Sequence, residues 1–207
     1  VVRSATGQEL ARCTVTVEMP AVDLGLSVKW GSVNLGASSP EDYGGYFAWG
    51  ETSTKTNYSW STYKWCNGSE NSLTKYNTKS SYGTVDNKTT LEPEDDAATV
   101  NLGGSWRMPT MAEWDELNSE CTWTWTTLNG VNGYRVSSKT NGNSIFLPAV
   151  GYQGGSYSYY GYRGYYWSSS LGSSSTQANF MDFNVDYHSV YVSGSRFCGR
   201  SVRPVIE

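Results

Sequence analysis

The alternation of apolar and polar side chains along the chain predicts strands nearly everywhere and helix in one place. Residues 8–18, QELARCTVTVE, carry the period of two that a strand requires, with Cys13, Val15 and Val17 sharing a face. From Val22, VDLGLSVKWGSVNLG forms two short alternating runs divided by Gly25 and Gly31, read as two strands. Ser39-Pro40-Glu41-Asp42 has the chemistry of a helix start: a Ser cap, Pro in the first turn and two carboxylates at the positive end of the dipole. Gly44 and Gly45 follow at once, so this predicted helix is short. In NLGGSWRMPTMAEWDELNSE, residues 101–120, Thr110 and Glu113 form a T-x-x-E capping box, and Met111, Trp114 and Leu117 recur at helical spacing. That pattern predicts a helix from about Met111 to Ser119. After it come TWTWTTL, GYRVSSK, SIFLPAVG, YYWSSS, ANFMDFNVD, HSVYVSG and GRSVRPVIE, short strand candidates separated by Gly, Asn and Ser. The fold class expected is α+β and β-dominated.

Residues 51–90 lack sustained periodicity, yet Tyr58, Trp60, Tyr63, Trp65 and Tyr76 are too many rings for a free linker. They predict a long insertion packed onto the domain. Composition extends this point to the whole chain. Hydrophobic residues are 38% of 207 and aromatics alone 14%, with nine Trp and sixteen Tyr, so ring packing must replace much of the usual aliphatic core. Such a chain is not disordered.

Charge narrows the partners. Charged residues are 16% and the net charge is −4, which provides no basic field for nucleic acid or an anionic bilayer. No run of about 18 apolar residues offers a membrane span, and the chain starts at Val1 without a charged and apolar leader, so it is expected to be a mature chain. Abundant neutral polar residues suit an extracellular, cell-surface protein. Cys13, Cys66, Cys121 and Cys198 lie far apart without C-x-x-C spacing and are read as free or structural thiols in preference to a disulfide.

Several blocks together carry a resemblance: WGSVNLGA, EDYGGYFAWGE, DDAATVNLGGSWRMPTMAEWDEL, FLPAVGY, YYWSSS and GRSVRPV. Over residues 22–207 the chain resembles the Fibrobacter succinogenes major paralogous domain family of Bacteroidetes surfaces. That family is similar to the formylglycine-generating sulfatase-modifying family, whose R-x-P-T-x-A-E-W block matches Arg107, Pro109, Thr110, Ala112, Glu113 and Trp114. The resemblance implies a C-type lectin-like fold: twisted antiparallel sheets, one or two short helices and long loops. The same fold occurs in the variable proteins of diversity-generating retroelements. Residues 1–18 resemble the last strands of a bacterial group 2 immunoglobulin-like module, with an edge strand of the main domain as the equal alternative; residues 19–21 then form a linker.

The candidate chemistry favours binding over catalysis. The sulfatase-modifying oxidases use a close cysteine pair near the C-terminus, whereas Cys198 has no second thiol after Cys121. His188 is the only histidine and is expected on a surface loop. Asp182 and Asp186 would project from one element and could not flank a sugar as a hydrolytic pair. Glu92-Pro93-Glu94-Asp95-Asp96 lacks calcium-loop spacing and is read as a solvated turn or helix cap. Trp106 and Arg107 are assigned to bracing the capped helix. No cofactor and no metal are expected.

In ANFMDFNVD the alternation puts Met181, Phe183 and Val185 inward and Phe180, Asp182, Asn184 and Asp186 outward. HSVYVSG puts Val190 and Val192 inward and Ser189, Tyr191 and Ser193 outward. Upstream, SYSYYGYR is expected to be an ordered loop leading into YYWSSS, where Trp167 and one of Tyr165 and Tyr166 join the core. A ligand face is therefore predicted from Tyr157, Tyr159, Tyr160, Tyr162, Arg163, Phe180, Asp182, Asn184, Asp186, Tyr187, His188, Tyr191, Ser193, Arg196, Phe197 and Arg200. Its mixture of tyrosine with small polar residues suits recognition. The expected partner is a surface glycan or protein, bound by a monomer without enzymatic activity. The alternatives are a structural subunit of a surface or fimbrial assembly and an enzyme related to the sulfatase-modifying oxidases.

Overall fold

The computed structural model describes residues 2–3, 9–11, 19–154 and 158–207, the first two segments and position 191 as backbone. Strands β1 (Val2–Arg3) and β2 (Glu9–Ala11) pair antiparallel as a two-stranded sheet. Most of the predicted 8–18 strand, including Cys13, lies outside the described residues. Strands β3 (Ala21–Val22) and β4 (Lys29–Gly31) come next, followed by helices α1 (Ala97–Leu102) and α2 (Met111–Glu120). The rest of the chain forms β5 (Cys121–Leu128), β6 (Val131–Ser138), β7 (Ser144–Pro148), β8 (Gly164–Leu171), β9 (Gln177–Phe183), β10 (His188–Ser195) and β11 (Val205–Ile206). Three antiparallel sheets of three strands result, ordered β11-β4-β3, β5-β6-β7 and β10-β9-β8. The fold is α+β and β-dominated, with few short helices, as the sequence pattern predicts.

Helix α2 starts where its capping box places it. Thr110 Oγ1 accepts the Glu113 N–H at 3.2 Å, and the Glu113 carboxylate accepts the Thr110 N–H at 2.8 Å. Arg107 donates to the same carboxylate at 2.9 and 2.6 Å, bracing the cap from outside. The six-residue α1 is too short to show periodicity and was not anticipated. It is capped by Asp96, whose carboxylate accepts from Ala98, Thr99 and Met108. The acidic run is thus a helix cap but not a solvated one, since Asp95 and Asp96 are buried. The helix predicted at Ser39 is only a turn: the Asp42 carboxylate accepts the N–H groups of Ser38 and Ser39, closing the chain on itself before a second turn can form.

The sheet β10-β9-β8 lies between two hydrophobic clusters. Tyr166, Met181 and Phe183 join Trp30, Trp114 and Leu147 on one side, while Tyr165, Trp167 and Phe180 join Trp49, Tyr76 and Val202 on the other. This overturns the expected outward positions of Phe180 and Asp182, which are 3% and 5% exposed. Alternation places residues on opposite faces but cannot show that both faces are covered. Here residues 47–49 cover the second face: Trp167 Nε1 donates to the Phe47 carbonyl at 2.8 Å and Trp49 Nε1 to the Ser168 carbonyl at 2.9 Å. Both Tyr165 and Tyr166 are buried, where one was expected. Val185, expected inward, lies beyond the end of β9 and is exposed. A register shift between Ser189 and Val192 sends Val190 to the first cluster and Val192 to the second, so the two do not share a face.

The insertion at 51–90 packs as expected. Tyr58, Tyr63, Leu73 and Tyr76 are buried, and Tyr58 and Tyr63 build a third cluster with Ala48. Of GRSVRPVIE only Val205–Ile206 is regular strand; Gly199, Arg200 and Ser201 instead make single bridges to Gln153, Phe47 and Tyr166.

Candidate functional site

Two loops meet where β8 begins and β9 ends, at the Gly164–Phe183 pair. The first, residues 158–163, is tied down by the Tyr152 N–H to the Ser158 carbonyl at 2.9 Å, Gly151 N–H to Arg163 at 2.7 Å and Gly161 N–H to Ala149 at 2.8 Å. Gly151 is required there, because it has φ +62° and a Cβ would lie 2.0 Å from the Ser158 carbonyl oxygen. Tyr159 sits in the left-handed region at φ +54°, a costly conformation for a bulky residue that the surrounding contacts must hold. The second loop is a turn closed by Asn184, whose Oδ1 accepts the N–H groups of Asp186 at 2.8 Å and Tyr187 at 3.1 Å.

Between these loops lies a cluster of tyrosines and charges. Arg163 Nη2 donates to Asp182 Oδ2 at 2.6 Å, and the Tyr187 hydroxyl donates to the same oxygen at 2.9 Å. The Arg163 guanidinium lies 5.1 to 5.7 Å from the ring centroids of Tyr159, Tyr165 and Tyr187. Tyr152 stacks on Tyr159 at 6.2 Å and meets Tyr165 edge-on at 5.2 Å. Deeper in, the buried Arg200 guanidinium lies 3.6 Å from the Phe180 centroid and 4.2 Å from that of Trp167, with Tyr165 and Tyr152 at 5.6 and 5.8 Å. Burial pushes the Arg200 pKa down to about 10, so it remains charged at neutral pH. Burial and then the Asp182 carboxylate raise the Tyr187 phenol above its ordinary value. Burial opposes the charge on Arg163, but the Asp182 contact outweighs it and the pKa rises.

Of the predicted residues, Tyr159, Arg163, Phe180, Asp182, Tyr187 and Arg200 come together here, with Asn184 as scaffold. Tyr162, 75% exposed, projects from the same loop, and Tyr160 packs against Tyr43 and Tyr46 at 6.2 and 6.1 Å. Asp186 is exposed in the turn. The others stand apart. Arg196 is fully buried and bonded to Tyr63, Tyr76, Ser175 and Lys75, which corrects its placement on a ligand face. Phe197 packs on Trp60 at 5.1 Å, and the Ser193 hydroxyl donates to Asn179 at 2.7 Å. His188 is the half-buried first residue of β10, not part of a loop; it stacks on Trp123 at 4.7 Å and shares a hydrogen bond with Asn118. The side chains of Tyr157 and Tyr191 lie outside the described residues. Tyr152 falls in the stretch 152–166 that the sequence assigns to the site but is not among the named candidates, and Tyr165 is read there only as a core candidate. The FLPAVGY block that contains Tyr152 was a signal that could have placed it beside the loop.

One group of carboxylates among the described residues has cation-binding spacing: Glu92, Glu94 and Asp95. Lys75 Nζ already lies 2.5, 3.6 and 2.6 Å from them, so an ammonium serves as their cation. Its hydrogen bond, followed by that of Lys88, pushes the Glu92 pKa down to about 2. Cys66, Cys121 and Cys198 are free thiols, and burial raises the pKa of Cys198, the reverse of activation.

A family model described as a domain of unknown function (DUF8237) matches residues 134–205, the segment from β6 to β11 that holds the whole cluster except its supporting contacts. No curated protein and no solved structure matches the chain.

Proposed function

We propose that the chain is a non-enzymatic, extracellular ligand-binding domain of adhesin or receptor type, with a C-type lectin-like fold and a resemblance to the Fibrobacter succinogenes major paralogous domain family. The observation that carries this reading is the convergence of two ordered loops on one cluster. There Tyr159, Tyr162 and Tyr187 are 39%, 75% and 36% exposed while Arg163 and Asp182 fix their surroundings. Tyrosine offers a large contact area at low rotamer cost, and its ring suits both a sugar face and a protein surface. The Asp182 carboxylate is already held by Arg163 and Tyr187, an arrangement for positioning and not for proton transfer.

A glycan and host-protein array tests this with the intact chain and a Tyr159→Ala, Tyr162→Ala, Tyr187→Ala variant. A captured ligand should bind the variant at least about tenfold more weakly, as expected for truncated interface anchors. Undiminished capture by a folded variant, or no capture by the parent, refutes the proposal.

A further inference from the structure

Among the described residues, five buried side-chain polar atoms lack a hydrogen-bond partner, and four of them belong to this one cluster: Arg163 Nε, Asp182 Oδ1, and Nε and Nη1 of Arg200. The fifth, Trp30 Nε1, is in the first core. Buried polar atoms are nearly always paired, so this concentration needs a cause. For Arg163 and Asp182 the cause is geometric. A fork-to-fork pair would use both oxygens and two nitrogens. Here Arg163 reaches Asp182 through Nη2 alone, and the Tyr187 hydroxyl shares Oδ2, which leaves Oδ1 and Nε over. Arg200 is held by rings, which attract its charge but offer no acceptor. Its head lies close against Gly194, where a Cβ would come within 2.5 Å of Nη2.

The cluster thus presents three unmet donors, one unmet acceptor and two cations against one anion, surrounded by tyrosine faces. The complement is a carboxylate with a hydroxyl close by on a ring that can stack. We propose that these groups take the carboxylate and a neighbouring hydroxyl of a uronic-acid residue in an acidic saccharide: the carboxylate accepts from Arg200 and Arg163, and the hydroxyl donates to Asp182 Oδ1. This rests on the ligand-binding reading above and names its ligand class.

The test is calorimetric titration of the intact chain with an oligogalacturonate, its methyl ester and an oligoglutamate peptide. The acid should bind more tightly than its ester by on the order of tenfold or more, the worth of charge-assisted hydrogen bonds. Arg200→Met should erase that preference, and so should Gly194→Ala, which leaves Arg200 in place but crowds its head and serves if the first variant does not fold. Equal binding of acid and ester, binding of the peptide alone, an acid preference that survives in both folded variants, or no saccharide binding at millimolar concentration overturns the inference. If the array yields a tyrosine-dependent ligand that Arg200→Met does not affect, the ligand-binding reading stands and only the acidic-sugar assignment falls.

Discussion

Arg196 and Arg200 are four residues apart and both buried, yet their surroundings differ. Arg196 donates to the Tyr63 hydroxyl and to the carbonyls of Tyr76, Ser175 and Lys75, all between 2.8 and 2.9 Å, and Arg203 likewise binds Asn34, Gly31 and Phe146. Arg200 has rings around it and two nitrogens without acceptors. Burial pushes both Arg200 and Arg203 down to about 10, so both remain cations at neutral pH. A buried charge in a folded protein is normally paired. Arg196 and Arg203 are structural clasps joining distant loops, whereas the Arg200 guanidinium clasps no backbone or side-chain acceptor among the described residues.

The largest effect is expected for Arg196→Met, which strands three carbonyls and a hydroxyl in the interior; urea unfolding should show a loss of about 3–5 kcal/mol. Arg107→Ala removes a forked pair at a partly solvated helix start and should cost about 1–2 kcal/mol in the same assay, with the loss seen in α2. Arg200→Met, an apolar chain of similar reach among rings, should lie within about 1 kcal/mol of the parent in either direction, because lost cation–π attraction offsets relieved desolvation. A cost equal to that of Arg196→Met would make Arg200 another clasp.

The smallest effect concerns the opposite face of the same sheet. Burial holds the His188 imidazole below its ordinary 6.5, so the unfolded chain takes up the proton first as pH falls. Stability from this site is complete above 6.5 and declines as pH drops through the lower, folded value. Thermal unfolding just below 6.5 should show that decline in the parent and not in His188→Gln; parallel curves for the two proteins contradict it.

Much of this architecture is legible in the sequence. The T-x-x-E box at Thr110 places α2 to within a residue, and seven short runs anticipate β5 to β11, although the runs at 144–151 and 178–186 end early as strand and the last shrinks to two residues. Legibility stops where a residue's environment depends on segments far away in the chain. Phe180 and Asp182 alternate with Met181 and Phe183, but segments distant in the chain, among them Phe47, Trp49, Tyr76 and Val202, make both faces interior. The site was readable as a composition, tyrosines near 160 and carboxylates near 184. It was not readable as a geometry, because the pairing of Arg163 with Asp182 depends on strand register, and Arg196, Arg200 and Arg203 look alike in a polar, glycine-rich run.

The sheet β11-β4-β3 has a consequence for biosynthesis. Trp30 of β4 pairs with Val205 of β11, and Arg203 fastens that closure to Gly31. At translation rates of about 5–20 residues per second, β4 waits roughly 10–35 s after leaving the ribosome before its partner exists. During that interval Trp30 lacks the strand that pairs with it on the β11 side. Synthesis of Arg203 and Val205 therefore sets the moment at which β4 can close into its sheet.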